Sequence, residues 1–182
     1  MYPAPQYTVP STIDGPEITE LPALSLHRIL PVAASSAYMS GWLPSPTIDL
    51  PLSALIPEDY IDDMVTRLEL YQRMADFSEL KQIPILAQEF NDRFGVPPKE
   101  VENLLYILKI RVVAKDRGIE SISNLDGEII IQLFAGMQLD KEKLARFYRD
   151  GVKLGNSQLR MNLKQPGKGW KTILEEVLGA MK

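Results

Sequence analysis

The chain has 182 residues, of which 45% are hydrophobic and 24% are charged, so fully disordered and fibrous proteins are excluded. It has no cysteine and one histidine, His27, which excludes disulfide scaffolds, thiolate sites and multi-histidine metal sites. A formal net charge of -4 and a pI near 5.1 argue against a generally basic nucleic-acid binder. No apolar run approaches the roughly 20 residues of a membrane span. We therefore expect a soluble, cytoplasmic protein that is poorly equipped for catalysis.

Residues 1–46 differ in composition from the rest of the chain. They hold eight of the fourteen prolines but only four charged residues. Proline fixes φ and removes a backbone donor, which prevents long helices and central strands. We predict an extended or disordered arm over 1–46, with apolar anchors such as Leu26, Ile29 and Leu30, and one domain over 47–182. A secretory signal is disfavoured, because no Lys or Arg precedes Arg28.

The sequence pattern of residues 47–118 predicts an edge strand followed by three helices. Alternating apolar residues form the strand: Ile48, Leu50 and Leu52. Pro57 opens the first helix, whose apolar spacing predicts one buried stripe. That stripe contains Ile61, Met64, Val65, Leu68, Tyr71 and Met74. The second helix runs from near Pro84 to Phe94 with Gly95 as its C-cap, and the third ends at Gly118.

Residues 119–182 predict strands with two further helices. At most a short strand is expected around 119–122, and a turn at 125–128 leads into a β-branched strand. Asp140 caps a short helix that carries Leu144, Phe147 and Tyr148. A strand at 156–164 and an amphipathic helix at 170–181 complete the chain. The fold class is α+β, with an N-terminal helical part followed by a small mixed or antiparallel sheet.

The segments that could carry catalytic or metal-binding chemistry do not match the known motifs. The loop QPGKGWK lacks the upstream glycine of a P-loop and the Ser or Thr that would hold magnesium. The acidic cluster of Glu58, Asp59, Asp62 and Asp63 lacks EF-hand spacing, and a solvated helix N-terminus explains it. His27 has no carboxylate nearby in sequence, and no G-x-S-x-G motif occurs. We predict no catalytic, metal-binding or cofactor-binding residue.

Charge is unevenly distributed along the chain. Residues 1–140 hold ten Lys and Arg against twenty Asp and Glu, whereas residues 141–182 hold ten against four. This basic 141–182 end, with Phe147, Tyr148 and Trp170, could contact phosphates and bases, which makes a nucleic-acid-binding accessory module the alternative function. The same aromatic residues also fit the apolar stripes, so core packing is the preferred interpretation.

Glu89 and Asp92 form the most suggestive pattern for binding a partner. If the segment 88–95 is helical, Phe90 and Phe94 share a buried face, and the two carboxylates neighbour each other on the outward side. Two adjacent carboxylates on a rigid helix form a receptor for arginine guanidinium groups. Two solvated acids are the simpler interpretation, and the residues alone favour it.

Residues 47–182 resemble the C-terminal domain of the bacterial transcription-repair coupling factor, Mfd. Four segments carry the resemblance in order and spacing: IDLPLSALIPEDYI, TRLELYQRM, the helix ending in DRFG, and ENLLYILKIRVVAKDRGI. The family protein binds stalled RNA polymerase, translocates on DNA with ATP, and recruits the repair protein UvrA through a UvrB-like module. The translocase motifs are missing here, so the resemblance implies no enzymatic activity for this chain.

The resemblance also implies a regulatory role and a partner. In the family, the C-terminal domain packs on the UvrB-like module and hides the surface that binds UvrA. That contact uses an acidic pair on the helix preceding the DRFG turn, facing arginines of the module. The matching positions here are Glu89 and Asp92. The expected partner is therefore the UvrB-like module, with UvrA and RNA polymerase as indirect partners and no membrane or direct nucleic-acid contact.

Overall fold

The computed structural model describes residues 44–164 and 169–181. Most of the predicted arm, residues 1–43, lies outside the described residues, and the domain boundary at 46/47 stays a prediction. A mixed set of helices and strands follows in chain order. The elements are β1 (Thr47–Ile48), α1 (Met64–Ala75), α2 (Gln82–Phe94), α3 (Lys99–Asp116), β2 (Ile119–Leu125), β3 (Glu128–Leu133), α4 (Lys141–Leu144), a 3-10 helix (Ala145–Asp150), β4 (Val152–Leu154), β5 (Gln158–Asn162) and α5 (Trp170–Ala180).

The five strands form one mixed sheet in the order β1-β2-β3-β5-β4. β1 runs parallel to β2, and the other three pairings are antiparallel. The β2–β3 hairpin turns through Asp126 and Gly127, which both have positive φ, as the predicted turn requires. The register places Ile122 opposite Ile131 and Ile131 opposite Leu159, so a row of apolar side chains points to one face. The predicted α+β class is confirmed.

Two hydrophobic cores lie on either side of α3. The sheet-side core joins the inward residues of the strands to α5 and to one part of α3. The helix-side core joins α1 and α2 to the other part of α3. Its fully buried side chains include Met74, Leu86, Phe90, Leu104 and Leu108. Because α3 contributes to both cores, its buried surface is wider than the single predicted face: Val101, Asn103, Leu104, Ile107, Leu108, Ile110, Val112 and Ala114 are all buried.

The first helix begins later than predicted. Pro57 opens only an isolated turn, in which its carbonyl accepts from the amides of Tyr60 and Ile61. α1 starts at Met64, because the Asp63 carboxylate accepts from the Thr66 amide at 2.7 Å and caps the first turn. The prediction of a helix opening at Pro57 is therefore wrong.

The buried face of α1 also differs from the predicted stripe. Met64, Val65 and Leu68 are 64%, 62% and 52% exposed, whereas Leu70 and Met74 are buried. The physical reason is Arg67, whose guanidinium donates to the carbonyls of Ile61 and Asp62 at 2.7 and 3.1 Å. These bonds turn the Arg67 side of the helix towards the preceding loop and leave Met64, Val65 and Leu68 in solvent. Ile61 and Met74, at the two ends of the predicted stripe, are buried as predicted.

Several other predictions are refined by the structure. β1 spans only two residues, β2 spans seven instead of a short piece, and β4 was not predicted. Asp140 caps α4 as expected, but Tyr148 is exposed while Leu144 and Phe147 are buried. The predicted ends of α2 and α3 are confirmed, since Gly95 and Gly118 have positive φ there.

Candidate protein-interaction site

The acidic pair, Glu89 and Asp92, lies on the outward side of α2. Leu86 and Phe90 are buried in the helix-side core and fix which side of α2 faces inward. Asp92 is exposed, and the Glu89 side chain keeps 24% of its surface in solvent. The structure therefore places both residues on the accessible surface of a helix that is anchored by its opposite face, as predicted.

Contacts at both ends hold α2 in place. At its start, the Gln82 side-chain oxygen accepts from the amides of Ser78 and Glu79 at 2.9 Å each. Pro84 lies in the first turn, where a missing N–H leaves no helical bond unmade. At its end, the Tyr60 hydroxyl lies 3.0 Å from the Phe90 carbonyl and 2.9 Å from the Gly95 carbonyl. The acidic pair thus sits on a well-supported helix.

Glu89 is bound by two guanidinium groups of its own chain. Arg73, in the last turn of α1, donates to Oε2 at 2.6 Å and to Oε1 at 3.3 Å. Arg93, one turn further along α2, donates to Oε1 at 2.6 Å. We call Arg73 and Arg93 the arginine clasp. It links α1 to α2 and already supplies the guanidinium contacts that the sequence assigned to an external partner.

The clasp also tunes the ionisation of Glu89. The hydrogen bond from Arg73 lowers the pKa of the Glu89 carboxyl, and the bond from Arg93 lowers it further, while partial burial acts in the opposite direction. The carboxylate is therefore charged at neutral pH. Its charge is balanced by the two arginines of the clasp, so the surface around Glu89 is less acidic than the sequence suggests.

Asp92 differs from Glu89 in having no side-chain partner among the residues that the structure describes. Within residues 44–164 and 169–181, its carboxylate makes no hydrogen bond or ion pair. It lies on the same side of α2 as Glu89, three residues along. Asp92 is therefore the acid that is immediately available to an incoming cation.

The other candidate residues have structural roles. Glu58 pairs with Arg67 at 2.9 Å, and Asp63 caps α1. Lys171, from the loop compared with a P-loop, donates to the Asn103 side chain at 3.2 Å and lies 4.8 Å from the centre of the Tyr106 ring. The remainder of that loop, residues 165–168, and His27 lie outside the described residues.

Two of the three aromatic residues of the basic 141–182 end pack against other side chains of the domain. Phe147 is buried in the sheet-side core, and Trp170 packs edge-on against Tyr106 with ring centres 6.5 Å apart. Tyr148 is half exposed. On the sheet, Lys153 and Arg160 both lie 3.8 Å from the Glu128 carboxylate. The arrangement supports core packing over base stacking for Phe147 and Trp170.

Sequence reasoning missed the arginine clasp. Arg93 stands four residues after Glu89, a spacing that on a helix signals an ion pair and could have been recognised. Arg73 lies 16 residues before Glu89, and only the packing of α1 on α2 brings the two together.

Comparison with known proteins identifies the family. The model of the TRCF domain matches residues 50–144, which is just over half of the chain. The chain belongs to the TRCF domain family. The match includes the whole of α1, α2 and α3, and therefore the acidic pair and the arginine clasp.

Curated relatives of this TRCF domain protein are transcription-repair-coupling factors. The one from Rickettsia bellii is 33% identical over 102 residues, covering 56% of this chain and 9% of its own length. Those from Bacillus subtilis and Buchnera aphidicola are 28% and 32% identical, covering 74% and 64% of this chain. The matches cover 12% and 14% of those two relatives, so the matched part of the chain spans about an eighth of their length.

A solved structure shares the fold. The crystal structure of the C-terminal domain of a transcription-repair coupling factor superposes with a TM-score of 0.62. The match covers 75% of this chain and 91% of the solved one at 21% identity, which supports the fold alone. Among the described residues, no cluster of three or more His, Asp or Glu is suited to hold a metal ion. In that part of the chain, no helix combines the length and apolarity needed to cross a bilayer.

Proposed function

We propose that this chain is a non-catalytic regulatory domain of transcription-coupled DNA repair, and that it masks the UvrA-recruiting UvrB-like module of a coupling factor. Family membership and the coupling-factor names of the relatives support this assignment. The single observation that supports the masking role is the acidic pair on the outward side of α2, in which Asp92 is exposed and Glu89 is partly exposed. The lack of cysteine and the single histidine support a role without catalysis.

The proposed mechanism is competitive. Asp92 and Glu89 face arginines of the module, and charge-assisted hydrogen bonds orient the contact. A masking contact of about 3 kcal/mol would keep the recruiting surface more than about 99% closed until another partner offsets that free energy. A contact of this size remains reversible, as a repair switch requires.

The contact is tested by replacing both acids. Glu89→Ala combined with Asp92→Ala should weaken binding to the purified UvrB-like module of the Bacillus subtilis coupling factor by about tenfold, which corresponds to about 1.4 kcal/mol. Isothermal titration of the full chain measures this, and circular dichroism confirms that the variant is folded.

A matched control removes the same charge elsewhere. Asp59→Ala with Asp62→Ala deletes two exposed carboxylates that lie outside α2, and should leave the affinity within about twofold of the natural chain. If the α2 variant binds as tightly as this control, the acidic pair has no role in the contact. Hydrolysis of ATP by the pure chain would contradict the non-catalytic assignment.

A further inference from the structure

The Glu89 carboxylate cannot receive a partner's arginine fork without losing a bond that it already makes. Oε1 accepts from Arg73 and Arg93, and Oε2 accepts from Arg73. A carboxylate oxygen has about two acceptor positions, so Oε1 is saturated. A two-bond fork from a partner needs both oxygens. One of the two internal guanidinium groups must therefore leave first.

Arg73 is the group that can leave. Arg93 is held twice, since it belongs to the same helix as Glu89 and its guanidinium lies 4.7 Å from the centre of the Phe94 ring. Arg73 reaches across from α1, and its guanidinium has Glu89 as its only hydrogen-bond partner among the described residues. Exposure does not separate the two groups, since Arg73 and Arg93 keep 47% and 51% of their side-chain surface in solvent. After release it remains in the last turn of α1, where the helix dipole favours a cation.

We propose that Arg73 is an internal competitor for the partner's arginine at Glu89, and that it sets the affinity of the masking contact. This inference rests on the proposed function. Asp92, which has no side-chain partner in the described part of the chain, is contacted first, and Glu89 follows by exchanging one guanidinium for another. The exchange keeps the recognition of arginine but reduces the net gain at Glu89, so the contact stays weak enough to be reversed.

The decisive experiment is to remove the competitor. Arg73→Gln should bind the same UvrB-like module about 1.5- to 5-fold more tightly, the range expected for one exposed ion pair. Lys99→Gln is the control, because Lys99 also carries one exposed positive charge but pairs with Glu102 and does not contact Glu89. With Asp92 unchanged, adding Glu89→Ala to Arg73→Gln should abolish the gain, since the carboxylate for which Arg73 competes is then missing.

The possible results separate the two proposals. If the natural chain binds and the acidic-pair variant loses affinity, but Arg73→Gln binds no better, the competitor is refuted and the masking role stands. An equal gain in Lys99→Gln would also refute it, because net charge would explain the effect. If neither the natural chain nor Arg73→Gln binds the module, both proposals fail.

Discussion

Arg111 offers the most direct test of how the helical part of the fold is held together. Its guanidinium projects from α3 and donates to the carbonyl of Met74, with a second, longer bond of 3.4 Å to the carbonyl of Ala75. These carbonyls belong to the last turn of α1, where the helical hydrogen-bond ladder ends. The Met74 carbonyl also accepts from the Phe77 amide at 3.3 Å, so Arg111 is an additional donor to it. Burial lowers the pKa of Arg111, which remains charged at neutral pH.

Arg111→Met keeps most of the side-chain volume and removes the donors. We expect the free energy of unfolding to fall by about 1.5–3 kcal/mol, the value of one hydrogen bond to a charged group, because the bond to Ala75 is too long to add much. For a chain of this size, each 1 kcal/mol corresponds to about 2–4 °C in Tm. Urea unfolding at constant m-value measures the difference.

Lys109→Met is the matched control on the same helix. Lys109 pairs with Glu175 at 3.1 Å, and both side chains are exposed, so its loss should cost less than about 1 kcal/mol. If Arg111→Met and Lys109→Met unfold at urea midpoints that agree within error, the hydrogen bonds from Arg111 on α3 to the end of α1 contribute no more than a surface ion pair. The reasoning is then refuted.

Two further predictions concern a glycine and a carboxylate. Gly118→Ala should lower the free energy of unfolding in urea by about 1–2 kcal/mol, because φ is +65° and a Cβ would lie 1.9 Å from the Met137 sulfur. Gly179→Ala on α5 is the control: its Cβ would meet nothing within 4 Å, so it should not destabilise the protein. The folded pKa of Glu89 lies below its ordinary value, so its stabilisation is present at neutral pH and is lost as pH falls below about 4.3. Acid titration should therefore lower the unfolding free energy more for the natural chain than for Glu89→Gln; equal slopes would contradict the ion-pair assignment.

Local signals in the sequence were sufficient for most of the fold. Gly95, Gly118 and the Asp126-Gly127 turn mark ends and reversals through backbone conformations that glycine and aspartate favour, and these were predicted correctly. The period of apolar residues identified α2, α3 and α5. The side chains of these helices are held mainly by apolar packing, which periodicity reports directly.

Predictions failed where a long polar side chain determines the packing. The spacing in α1 fits two faces, and the choice depends on Arg67 binding the carbonyls of Ile61 and Asp62. Periodicity counts arginine as polar and assigns it to solvent, so it selected the face with Met64 and Val65. For the same reason the contact between Arg73 and Glu89 was not predicted, because only the packing of α1 on α2 brings the two residues together.

The two cores separate the ends of the described chain from the helix that carries the acidic pair. Both ends of the described chain, at β1 and at α5, join the sheet-side core, whereas α2 belongs to the helix-side core. The chain therefore enters the described domain at β1 and leaves it at α5 in the layer that does not carry Glu89 and Asp92. A label attached to an exposed position of α5 would therefore lie in the sheet-side layer and leave the clasped helix open for measurement.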